Sequence, residues 1–535
     1  MKRQSFLRGS LLLTLSALAA KVLGALFKLP LTAMLGGTGL GYFSSAYGLF
    51  LPLYAVLVTG MSTAVARPVA QYAALGRPGA CACIRRTARR SFLLLGLIGS
   101  LLTCVLASPF LHHTGASPEA LPAVLAIAPA VLVCCLTAVE RGYYEGLCSM
   151  TPTALSQAVE AALRCVLGLL LCRFCMAHPP LPALSPAANG AFGAVCGVTL
   201  GALGSLVYLW GCSLRTRHRP DGSLPPRRIL RLLFGLMLPV SVGALVTNLT
   251  SLIDLVTVMR CFSGQLMQDP ERFYAAARIA PEIPPEEAAS FAYGSYMGLS
   301  VTVFNLVPSL TGSLGKSALP CAAQCFCRGD REGTAFHARQ VLLLAALAAV
   351  PAGCGIAVLG EETLAFLFAG RIGEIRAAAG SLVCLAPGMV CLCLSSGIFS
   401  ILQAAGRADL PVKLLVPGAA VKLVLNLLLL PRYGTAGAGL ATSAGYVLIL
   451  ALSLVCLRRV LGVPLHLGRP LVCMLYSGVM CAAAAWLSCR CLQGRLPFHA
   501  GYLLAVCAGA GVYVLCMLLC AGRELSRLKS PAVQA

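Results

Sequence analysis

The chain has 535 residues, 58% of them hydrophobic and only 11% charged, with a mean hydropathy of +0.85. So much apolar surface excludes a soluble globular domain, and continuous rather than alternating apolar runs exclude a membrane β-barrel. The net charge of +23 would suit a nucleic-acid binder if the protein were soluble, but the placement of the basic residues assigns it to membrane surfaces and leaves no role for nucleic acid.

Apolar stretches of about 20 residues, enough to cross a bilayer as a helix, recur fourteen times, at 6–34, 41–66, 91–111, 121–141, 153–174, 188–212, 231–260, 291–320, 338–359, 376–403, 411–431, 435–458, 469–490 and 499–521. The fold class is therefore all-α and polytopic. The basic start and Leu-rich run of the first stretch imitate a cleavable signal peptide. The apolar pattern continues through Leu26 and Leu29 to Leu35, so an uncleaved first helix is expected. Within it Lys21 and Lys28 lie two turns apart on nearly one face, with Gly24 between them. Two stacked cations suit an anionic group such as a diphosphate; Lys28 also suits snorkelling to the interface.

With the first helix starting inside, and residues at helix ends counted with the adjoining links, 27 of the 41 Lys and Arg residues fall in the N-tail, even-numbered links and C-tail, nine in odd-numbered links and five deep within helices. The excess clusters at Arg85, Arg86, Arg89 and Arg90, and again from Arg215 to Arg231. Both termini are expected in the cytoplasm. His112, His113 and His178 read as solvated loop residues.

In the fifth stretch Glu160 and Arg164 are four apart with the acid first, the favoured order for a helical ion pair. Mutual neutralisation and a place on a substrate pathway are both open to them. An internal repeat follows: Gly190, Gly193, Ala194 and Gly201 match Gly434, Gly437, Ala438 and Gly445 at a constant offset, and Pro152 and Arg164 correspond to Pro411 and Lys422. Six helices separate the members, so both copies point the same way. That implies two parallel six-helix lobes, 1–212 and 213–460, followed by two further helices in 461–535, the layout of a transporter with a central cleft.

The seventh stretch carries a polar stripe, Thr247, Thr250, Ser251, Asp254 and Thr257, with Asn248 beside it. Asp254, with Asn248, is a candidate coupling-ion site or else the partner of a lysine. Lys422 with Asn426 in the eleventh completes the buried polar set, because a charge at such depth costs about 2.5–3.5 kcal/mol on insertion scales and faces a cavity, a partner or a substrate. Lys316, near the cytoplasmic end of the eighth stretch, is a pathway candidate that also suits snorkelling. Most of the 27 cysteines lie in apolar runs as small packing residues. Cys321, Cys325 and Cys327 near His337 are the nearest approach to a metal set, and ordinary packing accounts for them, so no metal is expected. No P-loop, Gly-x-Ser-x-Gly or dinucleotide fingerprint is present, and no cofactor is implied.

The opening Lys21-Val-Leu-Gly24-Ala-Leu-Phe-Lys28-Leu-Pro30, then Leu35-Gly-Gly-Thr-Gly-Leu-Gly41 and Ala46-Tyr47, resembles the start of the stage V sporulation protein B-like polysaccharide-biosynthesis proteins. Arg141-Gly142-Tyr-Tyr-Glu145-Gly146, followed by Met150-Thr-Pro152 and Glu160, is similar to the same family's link between helices four and five. Pro239 with Asp254, and Leu402-Gln-Ala-Ala-Gly406 leading to Pro411 and Lys422, extend the similarity. That family belongs to the multidrug/oligosaccharidyl-lipid/polysaccharide flippase superfamily. The resemblance implies a transporter rather than an enzyme, moving a polyprenyl-diphosphate-linked oligosaccharide across the bacterial plasma membrane by alternating access. A coupling cation or the membrane potential would drive it. Its partners would be membrane lipids, the lipid-linked substrate and cell-envelope synthesis enzymes. Lys21 and Lys28 match the family's first-helix basic positions, and the last two helices match its groove for the lipid tail. Lipid II flippases also carry an arginine in the second helix, around Ala46-Tyr47-Gly48, where this chain has no basic residue. Two other functions are weighed beside this one. A drug/cation antiporter of the same superfamily would want an acidic, aromatic lining, whereas the buried charges here are mostly basic. A polytopic glycosyltransferase or polymer ligase would need catalytic acids in an external link, and Cys261–Ala289 supplies Asp269 and Glu271.

Overall fold

The computed structural model describes residues 6–214, 225–407, 409–463, 465 and 467–526. These are helical almost throughout: α1 (Phe6–Leu57), α2 (Thr59–Ala74), α3 (Pro78–Thr114), α4 (Leu121–Gly146), α5 (Met150–Ala177), α6 (Pro186–Leu214), α7 (Pro226–Gln268), α8 (Pro270–Ala277), α9 (Pro285–Ser295), α10 (Val301–Cys327), α11 (Arg331–Leu367), α12 (Ile372–Ala404), α13 (Asp409–Tyr433), α14 (Thr435–Leu461), α15 (Gly468–Leu492) and α16 (Phe498–Ser526). A π turn, Tyr296–Ser300, joins α9 to α10. Among the described residues eleven spans are long and apolar enough to cross a membrane. The protein is a multi-pass, all-α membrane protein.

The helix α1 is two rods rather than one. Gly36 has φ 64° and ψ −175°, a conformation open essentially to glycine alone. Phe27 and Phe43 are sixteen residues apart, about 24 Å along a straight helix, yet their ring centroids lie 6.3 Å apart. The chain therefore doubles back at Gly36, and the first two expected stretches become the two arms of a hairpin. Elsewhere helices outrun the apolar stretches that predict them. The α3 helix starts thirteen residues before position 91, because its basic first turns are still good helix formers. His112 and His113 consequently sit in its last turn rather than in a loop.

Packing follows lipid logic. In α3 the inward face is built from small or well-filled positions, Gly96, Gly99, Thr103 and Ala107, while Leu94, Leu101 and Val105 are more than 60% exposed. Large aliphatic side chains gain nothing by avoiding hydrocarbon, so they remain outside and small residues let helix backbones approach.

The chain divides into two compact units, the first Met1–Gln268 with Glu282–Gly298, the second Asp269–Pro281 with Leu299–Ala535. In the first, α5 packs along α6, and α7 packs on α1, α2 and α3. The sequence groups the α7 segment with the 213–460 lobe; its contacts group it with the first unit. In the second, α12 packs on α14, α11 and α10, and α15 and α16 pair and lie on α11. Leu343, Val350, Met474 and Tyr513 form the core of that last contact.

Candidate functional site

Within the first unit one group of deep polar residues gathers around the carboxylate of Glu160. Glu160 lies ten residues into α5, about 15 Å from its start. It accepts from Arg164 Nη2 at 2.5 Å, the expected i,i+4 pair, and from Arg141 Nη2 of α4 at 2.8 Å. Arg141 is further pinned by Nε donating to Ser156 Oγ at 2.9 Å. Two guanidinium groups thus share one carboxylate, leaving an excess positive charge. The three side chains remain 16–31% exposed, so they border accessible space.

The second arm of α1 faces this cluster. Phe43, Tyr47, Phe50 and Tyr54, spaced four, three and four residues, form a ladder with neighbouring ring centroids 4.8–6.0 Å apart. Tyr47 and Tyr54 lie within electrostatic range of Glu160 and Arg164, and Tyr54 also of Arg141. The second arm of α1 carries no arginine of its own; α4 and α5 bring guanidinium groups to it. Spacing alone could have exposed the ladder, whereas the link from Arg141 to Glu160 has no local signature.

The remaining motif residues position this cluster. Gly142 and Gly146 let α4 lie on α2: a side chain at 142 would overlap the Ser62 carbonyl, and one at 146 would come within 2.6 Å of the Ala66 oxygen. Glu145 accepts from Ser62 Oγ at 2.9 Å. Pro152 is buried in the first turn of α5, a position where a missing N–H leaves no helical bond unmade. Behind them Glu140, fully buried, is held by Arg85 and Arg89 of α3, and Arg85 Nε donates to it at 3.0 Å. Arg141→Ala is expected to lower stability by about 1.5–3 kcal/mol, the range for charged hydrogen bonds. Arg164→Ala should cost less than Arg141→Ala, because Glu160 keeps its bond from Arg141 and Arg164 is the more exposed of the two arginines. Thermal unfolding in detergent separates the two, and equal losses would contradict the assigned geometry.

Other predicted residues sit elsewhere. Asp254, 5% exposed, accepts from Tyr296 Oη at 3.4 Å and lies near Tyr293. Asn248 donates to Ala244 O of its own helix at 2.9 Å and, six residues away, is turned to another face from Asp254. In the second unit Lys422 and Asn426 are buried in α13 against α14. A side chain at Gly445 would meet Gly418 O and Lys422 Cβ, just as one at Gly201 would meet Glu160 O and Arg164 N. The two repeat-related helix pairs therefore cross in one register, with Gly418 where the first pair has Glu160. Lys28 is partly exposed; the side chains of Lys21, Lys316, Thr247 and Thr250 lie outside the described residues. Among the described residues no three His, Cys, Asp or Glu gather to hold a metal, and the side chains of Cys321 and Cys327 lie outside them.

Known families cover successive parts of the chain. Polysaccharide biosynthesis protein matches residues 6–267, and Lipid II flippase MurJ matches residues 288–504. The Lipid II flippase MurJ of Bacillus subtilis (strain 168) is 23% identical over 542 residues, covering 95% of this chain and 94% of that protein. The chain belongs to the multidrug/oligosaccharidyl-lipid/polysaccharide flippase superfamily, which takes in MurJ and the polysaccharide-biosynthesis flippases. Stage V sporulation protein B of the same organism is 23% identical over 481 residues, covering 87% of this MurJ-like chain and 86% of that protein. A solved structure of Lipid II flippase MurJ in an inward closed conformation matches the fold with a TM-score of 0.68 at 15% identity, over 97% of this chain and 100% of that one. An inward-facing multidrug resistance MATE transporter matches with a TM-score of 0.62 at 12% identity, over 82% and 95%. A MurJ-like protein is a membrane transporter and not an enzyme. Of the two acids a transferase would need, Asp269 is engaged as the N-cap of α8, accepting from Arg272 N at 3.1 Å.

Proposed function

We propose that this MurJ-like transporter flips a polyprenyl-diphosphate-linked oligosaccharide, a cell-envelope precursor, across the plasma membrane by alternating access. The observation that carries the reading is the Arg141–Glu160–Arg164 cluster: surplus positive charge at depth, partly exposed, beside the Tyr47 and Tyr54 rings. A diphosphate takes such guanidinium groups in bidentate fashion, and weak screening away from bulk water strengthens the attraction. In the same reading Lys21 and Lys28 of α1, Lys316 of α10 and Lys422 with Asn426 of α13 serve the substrate pathway, and α15 with α16 guides the lipid tail. Asp254 is the coupling site, its carboxylate set against Tyr296. Both termini are cytoplasmic by the distribution of basic residues, and the enzymes that make and polymerise the precursor are the functional neighbours.

The test is flipping of a fluorescent undecaprenyl-diphosphate oligosaccharide in proteoliposomes. Parent protein should move it. Arg164→Ala and Lys422→Ala should each lower the rate by about 10- to 100-fold, the equivalent of one charged hydrogen bond, while eluting as folded protein. Parent vesicles that move no lipid but exchange an organic cation would replace this reading with the antiporter.

A further inference from the structure

A second basic site lies away from that cluster, within the first unit, where the end of α2 meets the start of α7. There Gln71, Tyr72, Ala74 and Leu75 face Arg228, Arg231, Leu232 and Leu236 across a cleft of ≈1040 Å³. Arg228 and Arg231 are three apart, hence neighbours on one helix face. Both are exposed, and neither forms an ion pair with a carboxylate among the described residues. Arg85, Arg89, Arg141 and Arg164, by contrast, all have carboxylate partners. The walls are apolar, with Leu75 69% and Leu232 40% exposed, and Gly235 leaves open space where a side chain would project. Both helices are long and apolar enough to cross a membrane and end or begin here, and the ends of such spans are where headgroup and acyl chain meet.

We propose that this cleft binds the phosphate headgroup of an anionic glycerophospholipid. The two guanidinium groups hold the phosphodiester, each capable of a planar paired contact. The Tyr72 hydroxyl and Gln71 amide supply further donors to headgroup oxygens, and the acyl chains run down the Leu232–Gly235–Leu236 side. Basic pockets between helices on the cytoplasmic side bind anionic headgroups in this way; the positive-inside distribution puts these helix ends in the cytoplasmic leaflet. This occupant is a resident lipid, distinct from the transported one, so the site stands whether or not the flippase reading does.

The experiment is native mass spectrometry of the purified full chain given equal phosphatidylglycerol and phosphatidylcholine, with undecaprenyl diphosphate in a separate arm. The parent should retain phosphatidylglycerol preferentially. Arg228→Ala with Arg231→Ala should bind it about 30-fold more weakly, roughly fivefold for each basic residue near a membrane surface, and Arg231→Gln alone should show about the single-residue loss. Removing two exposed arginines elsewhere, Arg458→Ala with Arg459→Ala, should leave retention as in the parent. Undiminished retention in the first double variant would overturn the site, as would an equal loss in the second. Arginine-dependent binding of undecaprenyl diphosphate without that of phosphatidylglycerol would overturn the assigned occupant.

Discussion

Glu140→Ala is expected to remove about 3–5 kcal/mol of folding free energy, the cost of breaking a buried ion pair from one side. Native proteins have only about 5–15 kcal/mol in total, so the folded yield should fall sharply. Glu140 is fully buried, and the Arg85 side chain it holds is 11% exposed and lies 4.4 Å from the Tyr143 ring centroid. Without the carboxylate, Arg85 keeps its charge in a largely buried site with no partner from Glu140. Arg89 is different: its side chain is 37% exposed, so Arg89→Ala should cost under about 1 kcal/mol. Replacing both Arg85 and Glu140 by leucine should recover most of the loss, because apolar isosteres of a buried pair are often neutral. Thermal unfolding in detergent, read by elution of monodisperse protein, measures all three. A Glu140→Ala protein as stable as the parent would show that the pair does not hold α3 to α4.

Gly294→Leu is expected to be as damaging for a steric reason. A side chain at 294 would overlap Gly37 O and Gly41 N, and one at Gly41 would overlap the backbone of Ser290. The second arm of α1 and α9 thus cross backbone to backbone through Gly37, Gly41 and Gly294. Leucine improves helix propensity by less than about 1 kcal/mol, whereas ordinary overpacking already costs about 1–3 kcal/mol. Backbone atoms cannot rotate aside as a side chain can, so the cost here lies above that range and the helices must separate. Gly37→Ala is milder in expectation, since the closest atoms, 2.6–2.8 Å away, belong to the side chains of Phe291 and Ser295. Gly211→Leu serves as the comparison: nothing lies within 4 Å of it, and its effect should stay within about 0.5 kcal/mol. Unfolding temperatures that do not separate Gly294→Leu from Gly211→Leu would refute the crossing.

The family motif acquires a physical meaning from these contacts. Arg141 ties α4 to Glu160, Gly142 and Gly146 let α4 onto α2, Tyr143 carries Arg85, and Glu145 takes Ser62. The order of residues alone marked the membrane-spanning helices, through runs of apolar residues that only lipid can solvate, and the Glu160–Arg164 pair, because four residues make about one helical turn. It also marked Gly201 and Gly445 as equivalent, and both prove to lie over the charged residues of the preceding helix. The folded contacts add that Arg141 shares Glu160, that Glu140 is held by two arginines more than fifty residues away, that Gly36 folds α1 back on itself, and that α7 joins the first unit. The difference comes from the solvent. In water an apolar stripe tells the inner face of a helix from the outer one; in hydrocarbon both faces are apolar, so the partner of each helix is set by small residues and a few polar contacts whose members are distant in the chain.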